Sequence, residues 1–304
     1  VLFEYLENQT FKASYISFMN VSTQLHKRFF GLVSVACFLL LFTPTNKLLA
    51  QRAAKIALGS GTTYYSGDIT DGFMNNLYQP SINFAVSYYV SPHVSFRGEI
   101  NQAWIGAADS LVSDPIRSQR DLHFRSALTD FSAQIVIDLF KDESIDKSWG
   151  TSSHFSPYIF AGIGGFAFRP QGLFQGVWYD LHALGTEGQY FIDSDLQPYS
   201  RFQLNIPFGG GIEYRFSKHW GLQLEASYRY TFTDYLDDVS TNFPDQSQFQ
   251  DPVAAYFANP SGDFDLFAEG SPRGNPELND AYIFVSLRAV YFFEEVSRFS
   301  RCLR

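Results

Sequence analysis

The 304-residue chain carries 22 Lys and Arg against 31 Asp and Glu, a net charge of −9, and 18% of its residues are aromatic. The acidic balance argues against a nucleic-acid binder, which needs a basic face, and two cysteines, Cys37 and Cys302, make no disulfide scaffold. The aromatic share is high for a soluble domain and fits girdles at two membrane interfaces.

His26, Lys27 and Arg28 precede an apolar run from Phe29 to Phe42, followed by Thr43-Pro44-Thr45 and by Ala50 before Gln51. That order predicts a secretory signal peptide, because the run is too short for a spanning helix of about 20 residues. Residues 1–50 are therefore read as an N-terminal extension and signal peptide, with Met19 the expected initiator and Ala50-Gln51 the expected cleavage point. Cys37 sits in a loose lipidation box, Val-Ser-Val-Ala-Cys, but the apolar core continues past it through Phe38 to Phe42. Without residues 1–50 the chain keeps 18 basic and 29 acidic residues, so the mature protein is still acidic.

Eight strands are expected over residues 51–293. The first, Lys55 to Tyr65, is Gly-rich and loosely patterned. The second, Ser81 to Val90, places Ile82, Phe84, Val86, Tyr88 and Val90 on one face. Ser91-Pro92-His93 turns into the third, Val94 to Gly106, where Val94, Phe96, Ile100 and Trp104 oppose Ser95, Arg97, Glu99 and Asn101. The fourth, His123 to Phe140, sets Phe131, Ile135, Ile137 and Leu139 against Asp130, Ser132, Gln134 and Asp138. A polar connector, Lys141 to His154, leads to the fifth, Phe155 to Phe168.

The sixth and seventh form a hairpin over Phe202 to Thr233, joined at Ser217-Lys218-His219. One face reads Phe202, Leu204, Ile206, Phe208, Ile212, Tyr214, Phe216 and then Trp220, Leu222, Leu224, Ala226, Tyr228, Tyr230, Phe232; the other is polar throughout. Side chains alternate across a strand, so the period of two predicts one wholly apolar face. Fifteen residues at about 3.3 Å each make roughly 50 Å of strand, enough to cross an apolar band of about 25 Å even when tilted by about 40°. A soluble lipocalin-like barrel would alternate as well, with the apolar face turned inward. The eighth strand, Ala281 to Phe293, ends on Tyr291-Phe292-Phe293, and residues 294–304 are read as a tail expected in the periplasm.

Connection lengths add a second argument. Residues 66–80, 107–122, 169–201 and 234–280 follow the odd strands, and shorter links follow the even ones, the asymmetry of an outer-membrane barrel with long loops outside and short turns in the periplasm. The expected fold is therefore all-β, an eight-stranded antiparallel transmembrane barrel facing outer-membrane lipid. Eight strands leave a lumen filled by side chains, and Arg97, Glu99, Asp130, Asp138, Glu213, Arg215, Glu225, Arg229 and Arg288 are expected to pair there, since unpaired buried charges are costly.

The sequence supports no catalytic residues, no cofactor, no metal ion and no small-molecule substrate. Six histidines, at positions 26, 93, 123, 154, 182 and 219, show no metal-ligand spacing. Gly162-Ile163-Gly164-Gly165 lacks the Lys and helix start of a phosphate loop. Asp234, Asp237 and Asp238 lack EF-hand spacing, and residues 234–280 hold ten acids against Arg273 alone, the pattern of a solvated outer loop. No Ser-His arrangement marks a membrane lipid hydrolase.

Several motifs occur in one order: Tyr64-Tyr65-Ser66-Gly67-Asp68, Phe124-Arg125-Ser126, Gly162 to Pro170, Thr186-Glu187-Gly188-Gln189, Ile206 to Gly211, Thr231 to Ser240 (including Thr233, Asp234, Tyr235, Leu236, Asp237 and Asp238), and Arg273-Gly274-Asn275-Pro276. Together they resemble the PorG-like (DUF6089) outer-membrane proteins of the type IX secretion system, over nearly the whole mature chain. The resemblance implies a small, non-enzymatic barrel that takes part in protein export with a PorK and PorN ring on its periplasmic side. Parity places the Thr186 and Asp234 stretches outside, away from that ring, so they are expected to fold over the barrel mouth, with Asp234, Asp237 and Asp238 capping loop backbone. Ring contact then falls to Ser91–His93, Lys141–His154, Ser217–His219 and the tail. The competing reading is a surface adhesin or small ligand-binding barrel that uses its acidic outer loops.

Overall fold

In a computed structural model, residues 54–70, 77–91, 93–140 and 154–293 are described. The expected export signal with Cys37, most of the Lys141–His154 connector, and the tail with Cys302 lie outside those residues. Nine strands form one antiparallel sheet: β1 Ala54–Ser66, β2 Gln79–Tyr89, β3 Val94–Ala108, β4 His123–Asp138, β5 His154–Phe174, β6 Val177–Asp180, β7 Phe202–Arg215, β8 Trp220–Thr231 and β9 Ala281–Phe292. Each pairs with its neighbour in sequence except that β7 returns to β5, and β1 pairs with β9. The ring of eight is closed, and β6 is a short addition to the protruding end of β5.

The direction of the alternating faces separates a membrane-type wall from a soluble barrel. Ile212, Leu222 and Leu224 are 48%, 40% and 55% exposed, whereas Glu225 and Arg229 on the same hairpin are 1% and 0% exposed. Greasy side chains point outward and ionic ones inward, with β8 reading exposed and buried in near-strict turn. Twelve residues of β8 make about 40 Å of strand and roughly 30 Å of height at a tilt of about 40°, matching the apolar band of such barrels. Among the described residues no helix is long and apolar enough to cross a membrane, a fact that bears only on helices.

Three features depart from the sequence expectation. First, β5 does not stop at Phe168 but runs to Phe174 and turns back through Gln175 and Gly176, both at positive φ (49° and 80°), into β6. Two left-handed residues are what a tight two-residue hairpin needs. Second, residues 139–153 make a link longer than residues 67–78, so the sorting of connections by length is less clean than the sequence suggested. Third, the inward face is not polar throughout. Phe124, Phe166, Phe168, Tyr282 and Phe284 all point inward at the long-loop end and pack with Leu181, Leu236, Val239 and Phe257 from the loops.

Candidate functional site: the lumen brace and the loop cap

Two polar assemblies lie along the barrel axis. The lower is the lumen brace. Arg288 Nη2 donates to Glu99 Oε1 at 3.1 Å and to Glu225 Oε1 at 2.7 Å, Arg97 Nη1 reaches Glu225 Oε2 at 2.5 Å, and Arg229 bridges Glu99 at 3.2 Å and Asp130 at 3.3 Å. Strand period puts these groups on one face, and neighbouring strands supply opposite charges. Neutral donors complete it: Asn101, Asn205 and the Tyr282 hydroxyl all donate to Asp130, at 2.8, 2.7 and 2.9 Å, and the Tyr158 hydroxyl donates to Glu225 at 2.8 Å. Nearer the short-turn end Lys55 donates to Glu213 at 2.7 Å, with Gln223 on the same oxygen and Asp138 buried at the same end of the barrel. Lys55 was missed in the sequence because β1 is too loosely patterned to orient it. Arg215 stands elsewhere: half-buried at the β7–β8 turn, it lies over the Phe292 ring and donates to the Ser217 and Lys218 carbonyls.

The upper assembly is the loop cap. After β6 comes α1, Leu181–Leu184, ended by Gly185 in the left-handed region; the Thr186-Glu187-Gly188-Gln189 stretch follows. Gly188 has φ of +80°, a turn that lets Glu187 point inward while Gln189 accepts its backbone N–H at 3.0 Å. Glu187 accepts from the backbone N–H of Ser240 and Thr241 at 2.8 and 3.1 Å, from the Thr241 hydroxyl at 2.7 Å, and from Arg273 Nη1 at 2.9 Å. Arg273, buried, also donates to the carbonyls of Asp238 and Phe257. Thr186 and Tyr199 donate to the two oxygens of Asp238 at 2.5 and 2.6 Å, and Tyr235 donates to Glu187 at 3.2 Å. Phe257 comes from α2, Pro252–Ala258, capped by Asp251 and started by Pro252; with Tyr256 it packs on Phe174 and Tyr179 of the β5–β6 ribbon.

Of the three aspartates expected to cap backbone, Asp237 alone does so, accepting from Val239 N at 2.9 Å. Asp238 is held by side chains instead, and both oxygens of Asp234 are buried without a close hydrogen-bond partner. Sequence reasoning also missed Asp280 and the role of Tyr65. The Tyr65 hydroxyl lies 2.6 Å from Asp237 Oδ2 and 2.7 Å from Asp280 Oδ1. One phenolic proton serves one carboxylate, so the second short contact requires a proton on a carboxyl group. Burial holds Asp237 and Asp280 well above the usual carboxylate range, with Asp68 adding to the first and Asp237 to the second. Burial likewise pushes Asp234 up to about 8, only partly offset by the Ser240 hydroxyl, and Asp238 to about 7 against the pull of Arg273.

Asp68 accepts from Asn275 N at 2.9 Å, an approach open only because a Cβ on Gly274 would stand 2.4 Å from the Asp68 carboxylate. Beside it Arg120 grips Asp109 through two nitrogens at 3.0 and 2.7 Å and donates to the Arg273 carbonyl at 2.6 Å. Among the described residues no group of three or more His, Cys, Asp or Glu is arranged to hold a metal ion. The rings of His93, His182 and His123 hydrogen-bond to backbone groups, of Asp138, Tyr199 and, for His123, of Asp121 and Leu173.

Among the solved structures that resemble this chain are three bacterial proteins. They are Neisserial surface protein A (11% identity, TM-score 0.41, 80% of this chain and 99% of that one), Ail of Yersinia pestis (12%, 0.38, 80% and 99%) and OprG of Pseudomonas aeruginosa (11%, 0.35, 81% and 98%). No curated protein matches the chain. Residues 33–301 match the family described as Domain of unknown function (DUF6089), and the chain belongs to that family.

Proposed function

We propose that this protein is an integral outer-membrane barrel, exported by the signal in residues 1–50 with residues 51–293 forming the barrel. In this reading it is a non-enzymatic component of the type IX secretion machinery, meeting PorK/PorN-type ring proteins from its short-turn side. The observation that carries the membrane reading is the outward apolar wall around a sealed ionic interior. Membership of DUF6089, with four of the motifs that resemble PorG-like proteins (Tyr64–Asp68, Thr186–Gln189, Thr231–Ser240 and Arg273–Pro276) meeting in one cap, supports the secretion role. A barrel whose mouth and lumen are both filled conducts nothing and acts as an anchor, so ring contact falls to the turns at Ser91–His93 and Ser217–His219, to Lys141–His154 and to residues 294–304.

The membrane reading is tested by fractionation with heat-modifiable gel mobility, together with Leu224→Arg, which costs about 2–4 kcal/mol on a lipid-facing wall at mid-depth; a soluble periplasmic protein indifferent to that change overturns it. The secretion reading expects type IX cargo held in the periplasm when the gene is deleted, and a crosslinker at Lys218 to capture a ring protein. Normal export in the deletion removes it. A second reading, a surface adhesin, is favoured by the loop tip at residues 263–269, where Asp263, Asp265 and Glu269 are exposed together with Phe264 and Leu266. Replacing Phe264 and Leu266 by Ser then abolishes surface adhesion and leaves secretion intact.

A further inference from the structure

Among the described residues the outward wall is almost free of charge, and the exceptions are confined to one sector. Of the Lys and Arg among the described residues, Lys55, Arg97, Arg229 and Arg288 are buried in the lumen, Arg117, Arg120 and Arg273 serve the loops, and Arg215 and Lys218 sit at the short-turn end. Three remain: Arg125 and Arg169 face outward on adjacent β4 and β5, and Arg201 is exposed in the bend that immediately precedes β7.

Their height is fixed by register. Ala127 pairs with Arg169, Ala167 pairs with Phe202, and Trp104 pairs with Ala127. Trp104 and Phe202 are exposed aromatic side chains, so Arg125 and Arg169 each lie two residues, about 7 Å of strand, beyond an outward ring or its paired position. Aromatic belts mark the headgroup level of a bilayer, which places the guanidinium groups among the phosphates on the long-loop side.

The three are not neutralised there. Arg169 Nε and Arg201 Nη1 share a single oxygen of Asp180, at 2.8 and 3.0 Å, leaving the second oxygen of that carboxylate without a partner. Arg125 has no carboxylate partner among the described residues; it is half-buried, its guanidinium stacked 3.6 Å from the Trp178 ring centroid and 5.4 Å from that of Trp104, with Nε unpaired. Stacking holds the fork flat and rigid while leaving its N–H groups free for a planar or tetrahedral oxyanion. Beside it opens a cleft of about 480 Å³, lined by Trp178, His123, Ser110, Leu77 and Asp121 as well as Arg125. Among the described residues, Asp121 lines the cleft and Asp180 meets Arg169 and Arg201, two acids against three arginines. Trp178 belongs to β6, so the ribbon absent from the sequence reading builds one wall of the cleft.

We propose that Arg125, Arg169 and Arg201, with Trp178 and Trp104, form a site for the phosphate-bearing headgroup of an anionic lipid in the surrounding membrane leaflet. The inference rests on the membrane reading above. The apolar wall below the site takes the acyl chains, the stacked Arg125 takes the phosphate bidentately, and Arg169 and Arg201 supply a second donor pair, as basic pockets at membrane interfaces do. A soluble anion meets the same guanidinium groups but gains nothing from the wall.

The test uses the full mature chain in a non-ionic detergent, with fluorescent phosphatidylglycerol, fluorescent phosphatidylcholine and inorganic phosphate as probes. The wild type retains phosphatidylglycerol at about tenfold lower concentration than the Arg125→Gln/Arg169→Gln variant, the loss expected for a removed charge-assisted contact, and the two proteins retain phosphatidylcholine alike. Heat-modifiable mobility confirms that the variant is folded; should it not fold, Arg201→Gln, at an exposed rim position, is measured in its place with the same expectation. Equal retention of phosphatidylglycerol by wild type and variant overturns the site, and so does full displacement of lipid by millimolar inorganic phosphate, which would mark a free-phosphate site. A chain that stays soluble and binds no lipid of either kind overturns the membrane reading itself, a result distinct from a barrel that enters lipid without headgroup preference.

Discussion

The lumen brace and the loop cap are stacked in the same barrel and solve the burial of charge in opposite ways. In the brace, Arg97, Arg229 and Arg288 interlock with Glu99, Glu225 and Asp130, so each buried charge faces at least one of the other sign. In the cap, Asp68, Asp109, Glu187, Asp234, Asp237, Asp238 and Asp280 share Arg120 and Arg273, with Arg117 donating to loop carbonyls. Cations run out before carboxylates do, and the surplus is met by hydroxyls and by bound protons. The brace is therefore a fixed strut and the cap a structure whose cohesion depends on protonation.

Glu99 joins all three lumen arginines, so Glu99→Ala leaves buried guanidinium groups without their shared partner. The expected loss is about 3–5 kcal/mol of barrel stability, read as the denaturant midpoint for loss of heat-modifiable mobility. A loss below about 1 kcal/mol would mean that water or neighbouring groups already neutralise the brace. The matching change in the cap is Arg273→Ala, which strips Glu187 of its ion pair and two loop carbonyls of their donor. It costs about 2–4 kcal/mol, but locally: protease cleavage within residues 232–280 rises while the barrel keeps its gel mobility. Simultaneous loss of both would show that the two regions are one cooperative unit.

How much of this the sequence disclosed follows the same division. The wall was legible because one rule holds on every second residue of it: Leu222, Leu224 and Ile212 are apolar and face outward, and Glu225 and Arg229 take the alternate, inward positions. Where the apolar wall ends, the rule ends. Arg169, Pro170 and Gln171 extend β5 beyond the apolar band, where the outer face is polar, and without hydrophobic alternation they read as loop. The inward ring of Phe124, Phe166, Phe168 and Phe284 was hidden for another reason, since an apolar core beneath the cap makes both faces of those strands greasy. Thr186–Gln189 and Thr233–Asp238 were visible as motifs. Their partner Asp280 lies outside any motif, and 44 residues separate it from the Leu236 amide it accepts.

The proton dependence of the cap has a definite sign. Buried Asp238 and Asp234 hold protons up to about 7 and about 8, whereas in an opened loop carboxyls release them near 4, as in peptides. Between about pH 4 and 8 the closed cap binds more protons than the open one, so its stability is fully present at the acid end of that window and falls as pH rises. Hydrogen exchange of the Leu236 and Val239 amides, corrected for intrinsic rates, is expected to show at least about tenfold more frequent opening at pH 8 than at pH 5. Asp234→Asn, which keeps the shape without the acid, reduces that slope. Opening that is more frequent at pH 5 would mean that the cap is held by ionised carboxylates after all, and the contrast with the brace would disappear.

The smallest effect sharpens the boundary between wall and cap. Gln175 holds φ of 49° at the first position of the β5–β6 turn, with Gly176 after it, a conformation that an unbranched amide side chain tolerates less well than Asn. Gln175→Asn is therefore expected to stabilise the ribbon by about 0.5–1 kcal/mol. Because among the described residues β6 pairs only with β5 and packs through Tyr179 against Phe257, the gain should appear as slower exchange at Trp178 and Tyr179 and slower cleavage of the 232–280 loop. The denaturant midpoint of the barrel should not move. If that midpoint rises too, the ribbon belongs energetically to the wall, and the line between strut and cap lies above β6 rather than below it.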